Sequence, residues 1–208
     1  MLHIIEGDGL KLVQPIRKIA QIKRMKEIAS VRPRDLCLLE LGFHTGLRVQ
    51  DLLSLRISDI AQKAGSKWQV ARFYVVNEQK TRKGKQVEIV KSARDAIERQ
   101  LNALDACGMA AAGGWLFPSP YRQGVKPLSR RQAGRLIKKI ARQAGVTEPV
   151  ACHSLRKSFG YHAFRSGVDI MYLKEIFNHS DIAITKRYIG ITQDELNSVY
   201  QRLGAIMV

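Results

Sequence analysis

Four short stretches carry side chains able to handle a charged group. Arg48 lies in TGLR, and the segment QKTRKGKQ holds Lys80, Lys83 and Lys85. His153 and Arg156 stand three apart in HSLR, while His179 and Tyr188 belong to HSDIAITKRYI. A three-residue step puts His153 and Arg156 on one face of a helix at one height, a geometry suited to gripping a tetrahedral anion. None of the four is specific alone. Arg48 fits a helix-start ion pair with Asp51 equally well, and each hairpin lysine reads as a phosphate contact or as a solvated side chain. A structural or surface role suits His44 and His162 better than chemistry, and His3 falls in a loose terminus.

These residues need elements to position them. A helix is expected over Ile16 to Ser30, with Ile19, Ile22 and Ile28 as a loose apolar face. Pro33 then opens a helix through Asp35 to Phe43 that is apolar nearly all round, as in the centre of a domain. A third helix over Val49 to Leu55 places Arg48 and Asp51 at its start. From Trp68 to Val90 the apolar period changes to two, which predicts a hairpin with a Gly84 turn and a basic tip. Ser92, with Asp95 as a capping pair, opens a helix that fades into ACGMAAAGG, read as a flexible connection over Ala106 to Gly114 rather than a domain boundary. Ser129 starts a strongly amphipathic helix with Ala133, Leu136, Ile137, Ile140, Ala141 and Ala144 on one face. Arg131, Arg135, Lys138, Lys139 and Arg142 occupy the other. Helices follow over His153 to Ser166, Ile170 to Phe177, Ile182 to Ile189 and Asp194 to Leu203, the last opened by Thr192 with Glu195. The fold class is α+β, mainly helical, with one small antiparallel sheet.

The charge narrows the partners. With 35 Lys or Arg against 18 Asp or Glu the chain carries +17, while 45% hydrophobic residues and only 6 Pro indicate a globule rather than a basic tail. A basic globule is drawn to nucleic acid or to an anionic membrane. No run of roughly 18 apolar residues exists, and the N-terminus lacks a signal peptide's apolar segment, so a cytoplasmic, nucleoid-associated protein is expected. Between Cys107 and Thr147 eight basic residues occur without one acid, which favours phosphate contact over a merely solvated face. Cys37, Cys107 and Cys152 form no CxxC pair and read as reduced core thiols; neither they nor the scattered His have metal-ligand spacing, so no metal or cofactor is expected.

In order and spacing, TGLRVQDLLSLRISDI, NEQKTRKGKQVEIV, HSLRKSFGYHAFRSG and FNHSDIAITKRYIGI resemble the catalytic domain of the tyrosine recombinases, also called phage-type integrases, and among them the short integrases of mobile elements. The resemblance covers roughly Pro15 to Ile191. It implies a catalytic set of Arg48, Lys80, His153, Arg156, His179 and Tyr188, with Asp51 buttressing Arg48 and Lys83 as the second choice for the hairpin acid. Lys85 and the five cations from Arg131 to Arg142 would contact DNA. A phosphodiester gains negative charge at its five-coordinate transition state, so fixed guanidinium forks lower the barrier. Tyr188 would attack, His153 would take its proton, His179 would hydrogen-bond the phosphate, and a lysine would protonate the leaving 5′-oxygen. The 3′-phosphotyrosyl product keeps the phosphodiester's energy, so neither ATP nor metal is needed for rejoining.

The expected organisation is an arm over residues 1–14, the catalytic domain over 15–191 and a C-terminal helix over 192–208 that packs at home or in a neighbouring protomer. The separate N-terminal helical domain of full-length relatives is expected to be absent. Double-stranded DNA is the expected partner, with a homotetramer on DNA and a monomer or weak oligomer without it. Two other readings share these residues: type IB topoisomerase-like relaxation, and a regulator that occupies DNA sites without cutting.

Overall fold

The computed structural model describes residues 13–77, 84–111, 113–121, 124–191 and 193–207. Its elements are α1 (Ile19–Ala29), α2 (Pro33–His44), α3 (Val49–Leu53), α4 (Ile57–Ile60), β1 (Ala61–Ala64), β2 (Lys67–Val70), β3 (Phe73–Asn77), β4 (Gly84–Glu88), α5 (Lys91–Ala106), α6 (Arg130–Gln143), α7 (Cys152–Arg165), α8 (Ile170–Phe177), α9 (Ile182–Ile189) and α10 (Gln193–Ile206).

The apolar sequence of α2 makes it the central helix. Cys37, Leu38, Leu39 and Leu41 are all 2% exposed or less, and the helix packs against α1, α3, α5 and α7. Burying each such leucine contributes roughly 2 kcal/mol. A second, smaller cluster of Leu173, Phe177 and Ile189 joins α8 and α9 to α7, with Phe159 and Tyr188 packed against it. Gly160 makes that join possible, because a Cβ there would lie 2.6 Å from both Ile189 and Phe177.

Several expectations need correction. The first helix begins at Ile19 rather than Ile16, because residues 14–16 run extended along α7: the Ile16 amide donates to Ser158 Oγ (2.7 Å) and its carbonyl lies 2.9 Å from His162 Nε2. The period-two region is not one hairpin. Trp68 belongs to β2, which pairs with β1, while β3 pairs with β4 in a separate antiparallel sheet. β1 is the polar, largely exposed AQKA, so no apolar alternation announces it. Gly84 is the first residue of β4 rather than a turn, paired with Asn77, and the expected basic tip with Lys80 and Lys83 lies outside the described residues. The third helix stops at Leu53, and α4 follows it. Val90, not Ser92, caps α5; Asp95 pairs with Lys91 (2.7 Å) instead of capping. Cys37 and Cys152 are buried, but Cys107 is exposed, since the chain turns outward after the last residue of α5. Ser129 does cap α6, in a reciprocal box with Gln132, and α8 and α9 have the expected bounds. On α10, Tyr200 is 75% and Leu203 47% exposed, so these two do not pack at home. Thr192 lies outside the described residues.

Where α1, α2 and α5 meet, one carboxylate gathers three donors. Glu40 lies 3.1 Å from Lys26 Nζ and 3.2 Å from His44 Nε2, and Ser92 Oγ donates to it at 3.0 Å. His44 is thus structural, as expected. Burial opposes the charge on Glu40, but His44, Lys26 and Ser92 outweigh it and hold the carboxyl at about 2, below its ordinary 4.5. A depressed carboxyl stabilises the fold above its unfolded pKa and loses that contribution as pH falls through the folded value. Acid titration of unfolding free energy from about pH 5 to 2 should therefore show a loss of roughly 3 kcal/mol that is absent in Glu40→Gln.

Candidate active site

The site forms where four chain segments converge. Gly46, at φ +64°, ends the turn after α2 and lets the chain pass over Phe159, 2.8 Å from where a Cβ would stand. Two residues later Arg48 takes the N-cap position of α3, exposed, with Asp51 half-buried in that helix's first turn. Arg48 and Asp51 make no ion pair, so the helix-start salt bridge is not formed among the described residues. His153 and Arg156 lie on α7, one turn apart. His179 follows α8, whose C-cap Asn178 adopts the left-handed conformation (φ 50°) that redirects the chain into α9, and Tyr188 sits in the last turn of α9.

Arg156 is the buried member, 5% exposed. Its Nη1 donates to the Gly46 carbonyl at 2.6 Å and its Nη2 to the Phe177 carbonyl at 2.8 Å, while the guanidinium carbon stands 4.5 Å from the centre of the Phe177 ring. Two of five N–H groups are thus committed to the scaffold, and the side of the guanidinium facing Tyr188 interacts with the phenol. Burial pushes the guanidinium down to about 10; Tyr188 pulls it up, Arg48 pushes it down and Asp51 pulls it up. It is charged at any physiological pH. Asp51 supports Arg156 electrostatically rather than pairing with Arg48.

The Tyr188 hydroxyl lies 3.3 Å from His153 Nδ1, and the two rings meet edge to face with centroids 6.5 Å apart. With its own proton on Nε2, His153 accepts from the phenol. Burial raises the Tyr188 pKa, and Arg156 and Arg48 oppose that rise. His179 stacks 5.1 Å from Tyr188 and 5.4 Å from Phe177. Burial, then Arg156 and Arg48, push His179 down to about 4, so its ring is neutral at pH 7. The Thr185 hydroxyl lies 3.0 Å from His179 Nδ1 and 3.5 Å from the Asp181 carbonyl, to which it donates, and so fixes the orientation of the ring. The arrangement is a phenol beside a base, under two guanidinium groups and a neutral imidazole. That combination suits transfer of an anionic phosphoryl group to tyrosine.

The model of the phage integrase family matches residues 16–195. The chain belongs to that family. It is therefore related to the tyrosine recombinases, and the separated motifs and the helical fold with its small antiparallel pairing agree with this. The probable integrase/recombinase YoeC of Bacillus subtilis (strain 168) is 32% identical over 198 residues, which span 95% of this chain and 100% of that protein. The tyrosine recombinase XerD of Oceanobacillus iheyensis is 28% identical over 208 residues, 96% of this chain and 65% of XerD. Among solved structures, XerA recombinase superposes with a TM-score of 0.71 at 24% identity over 92% of this chain and 66% of that one. The catalytic domain of bacteriophage HP1 integrase does so with 0.57 at 20% identity, covering 91% and 95%. The chain thus spans the whole of YoeC but about two thirds of XerD.

The fold unites Arg48, His153, Arg156, His179 and Tyr188. Lys80 and Lys83 lie outside the described residues, as does the side chain of Lys85 in β4. Arg131, Arg135, Lys138, Lys139 and Arg142 all lie on the exposed face of α6, whose other face packs on α1, α7 and α3. Sequence reasoning missed the scaffold groups: the Gly46 and Phe177 carbonyls, the Phe177 ring and Thr185. Their signal was adjacency to the motif residues, which carries no charge pattern. Arg156→Lys supplies a compact head that cannot bond both carbonyls, and one buried acceptor left unpaired costs about 1–3 kcal/mol. Urea titration should show an unfolding free energy lower by that amount.

Proposed function

We propose that this tyrosine recombinase breaks and rejoins double-stranded DNA at specific sites through a covalent 3′-phosphotyrosyl intermediate. The observation that carries the reading is the Tyr188 hydroxyl set between His153 Nδ1 and the buried, charged Arg156. In the cleavage step the Tyr188 oxygen attacks the phosphorus and its proton passes to His153. Arg48 and Arg156 bind the nonbridging oxygens as their charge grows, with His179 hydrogen-bonding the phosphate. The P–O5′ bond breaks and the leaving oxygen takes a proton from Lys80, or from Lys83 in its place. Rejoining is the reverse attack by a 5′-hydroxyl of another strand. One phosphoester bond is exchanged for another, so no energy source is consumed.

DNA would be held by phosphate contacts from Lys85 and from Arg131, Arg135, Lys138, Lys139 and Arg142 on α6. The domain plan follows the sequence: an arm over 1–14, the catalytic domain over 15–191, and a C-terminal helix whose exposed Tyr200, Leu203 and Ile206 suit exchange between protomers of a tetramer on DNA. Such a protein works in the cytoplasm, on the nucleoid. Two related proteins act in the same sense by their descriptions: XerD is named a tyrosine recombinase, and XerH is a site-specific recombinase seen bound to its difH substrate.

Incubation with a nicked suicide duplex should give a covalent protein–DNA adduct on a denaturing gel, and Tyr188→Phe should give none; adduct persisting in that variant rejects Tyr188 as nucleophile. Replacing Arg135, Lys138 and Arg142 together by Gln should flatten the slope of log affinity against log salt by about 0.9 for each lost phosphate contact. An unchanged slope removes α6 from the DNA interface.

A further inference from the structure

Lys157 follows Arg156 directly and is absent from the chemistry above, yet its ammonium is placed with two constraints. Nζ donates to the Val13 carbonyl at 2.7 Å and stands 5.3 Å from the centre of the Tyr188 ring. That distance is within the range of cation–π attraction, and the attraction grows when the ring carries a phenolate charge. We propose that Lys157 is a positioning residue for Tyr188: its ammonium, anchored on the entering chain, holds the ring of the nucleophile and favours its anionic form. The proposal rests on the covalent-tyrosine reading and adds to it a residue and a route of control.

The anchor is itself fixed on both helices that make the site. The Gln14 amide donates to the Pro149 carbonyl at 3.0 Å, and the Ile16 amide and carbonyl are held by Ser158 and His162 of α7. Arg17 Nη2 reaches the carbonyl of Gly190, the C-cap of α9, at 3.1 Å, and its guanidinium carbon stands 5.5 Å over the Tyr161 ring. The segment 13–17 therefore straps α7 to the end of the helix that carries Tyr188, and Lys157 is the one link from that strap to the nucleophile's ring shown by these contacts. Lys157 is half-buried, which lowers its pKa, and it has no carboxylate partner among the described residues. Its charge is thus directed at a carbonyl and a ring.

Other charged groups also face Tyr188, so the test must isolate this one. From α7 they are His153 and Arg156, from the turn before α9 His179, and from the start of α3 Arg48, with Asp51 acting on Arg156. Lys157→Gln keeps a donor for the Val13 carbonyl and removes the charge, Lys157→Met removes both, and Lys157→Arg restores charge. Single-turnover adduct formation on the nicked duplex would be followed from about pH 6 to 10, which brackets the phenol and imidazole ranges, with thermal unfolding in parallel. The expectation is that Lys157→Gln melts close to the parent but cleaves about tenfold more slowly at neutral pH, with the rate–pH midpoint moved about one unit to the alkaline side. Lys157→Arg should recover most of the rate. A Gln variant with the parent's rate and midpoint overturns the proposal, as does an Arg variant as slow as Gln. Loss of melting temperature in Met alone, with normal kinetics in Gln, assigns Lys157 to tethering only. If the parent chain forms no adduct, the covalent reading fails first and is told apart from a failure of Lys157.

Discussion

Arg156 carries a guanidinium that is 5% exposed into the junction of α7, α8 and the turn after α2, and a buried cation costs several kcal/mol unless its donors are matched. Its match is not a carboxylate. The carbonyls of Gly46 and Phe177 accept from it, and the Phe177 ring lies beneath it, so the charge is hydrogen-bonded but not neutralised. Much follows from that choice. The Gly46 turn must come close over Phe159, α8 must end with its last carbonyl turned inward, and Asn178 must take the left-handed cap that starts α9 on its course.

A cation held by carbonyls rather than by an ion pair makes the pocket a receptor for an anion. Arg48 and Arg156 push on each other and both bias the groups between them: they help lower His179 to about 4 and oppose the upward pull of burial on Tyr188. The nucleophile is therefore protonated at rest, shielded from water and already surrounded by the charges its transition state needs. Reorganisation at the moment of reaction is small, which is where preorganised electrostatics lower a barrier.

Much of this was legible in the residues. α8 and α9 were readable to the residue because Asp169 and Asp181 cap them and Asn178 and Gly190 stop them, strong local signals. The largely apolar run of α2 announced its central place. The exposed β1 had no alternation to read, and the start of α1 was shifted by hydrogen bonds to Ser158 and His162, about 140 residues away in sequence. Ser92 carried the type of an N-cap, but its hydroxyl was taken by Glu40 from another helix. At both helix starts a long-range partner outcompeted a local preference.

Sequence by itself determined the chemical inventory and the family: two arginines, two histidines and a tyrosine in a fixed order, a basic helix face, and a chain matched to the phage integrase model over residues 16–195. Charge type and motif order are local properties and survive in one dimension. The tertiary structure alone decided which group is buried and which is exposed, that Arg48 and Asp51 form no ion pair among the described residues, and that Lys157 stands over the Tyr188 ring. Those outcomes depend on desolvation and on distances of a few ångströms between segments far apart in the chain, and no local pattern encodes either.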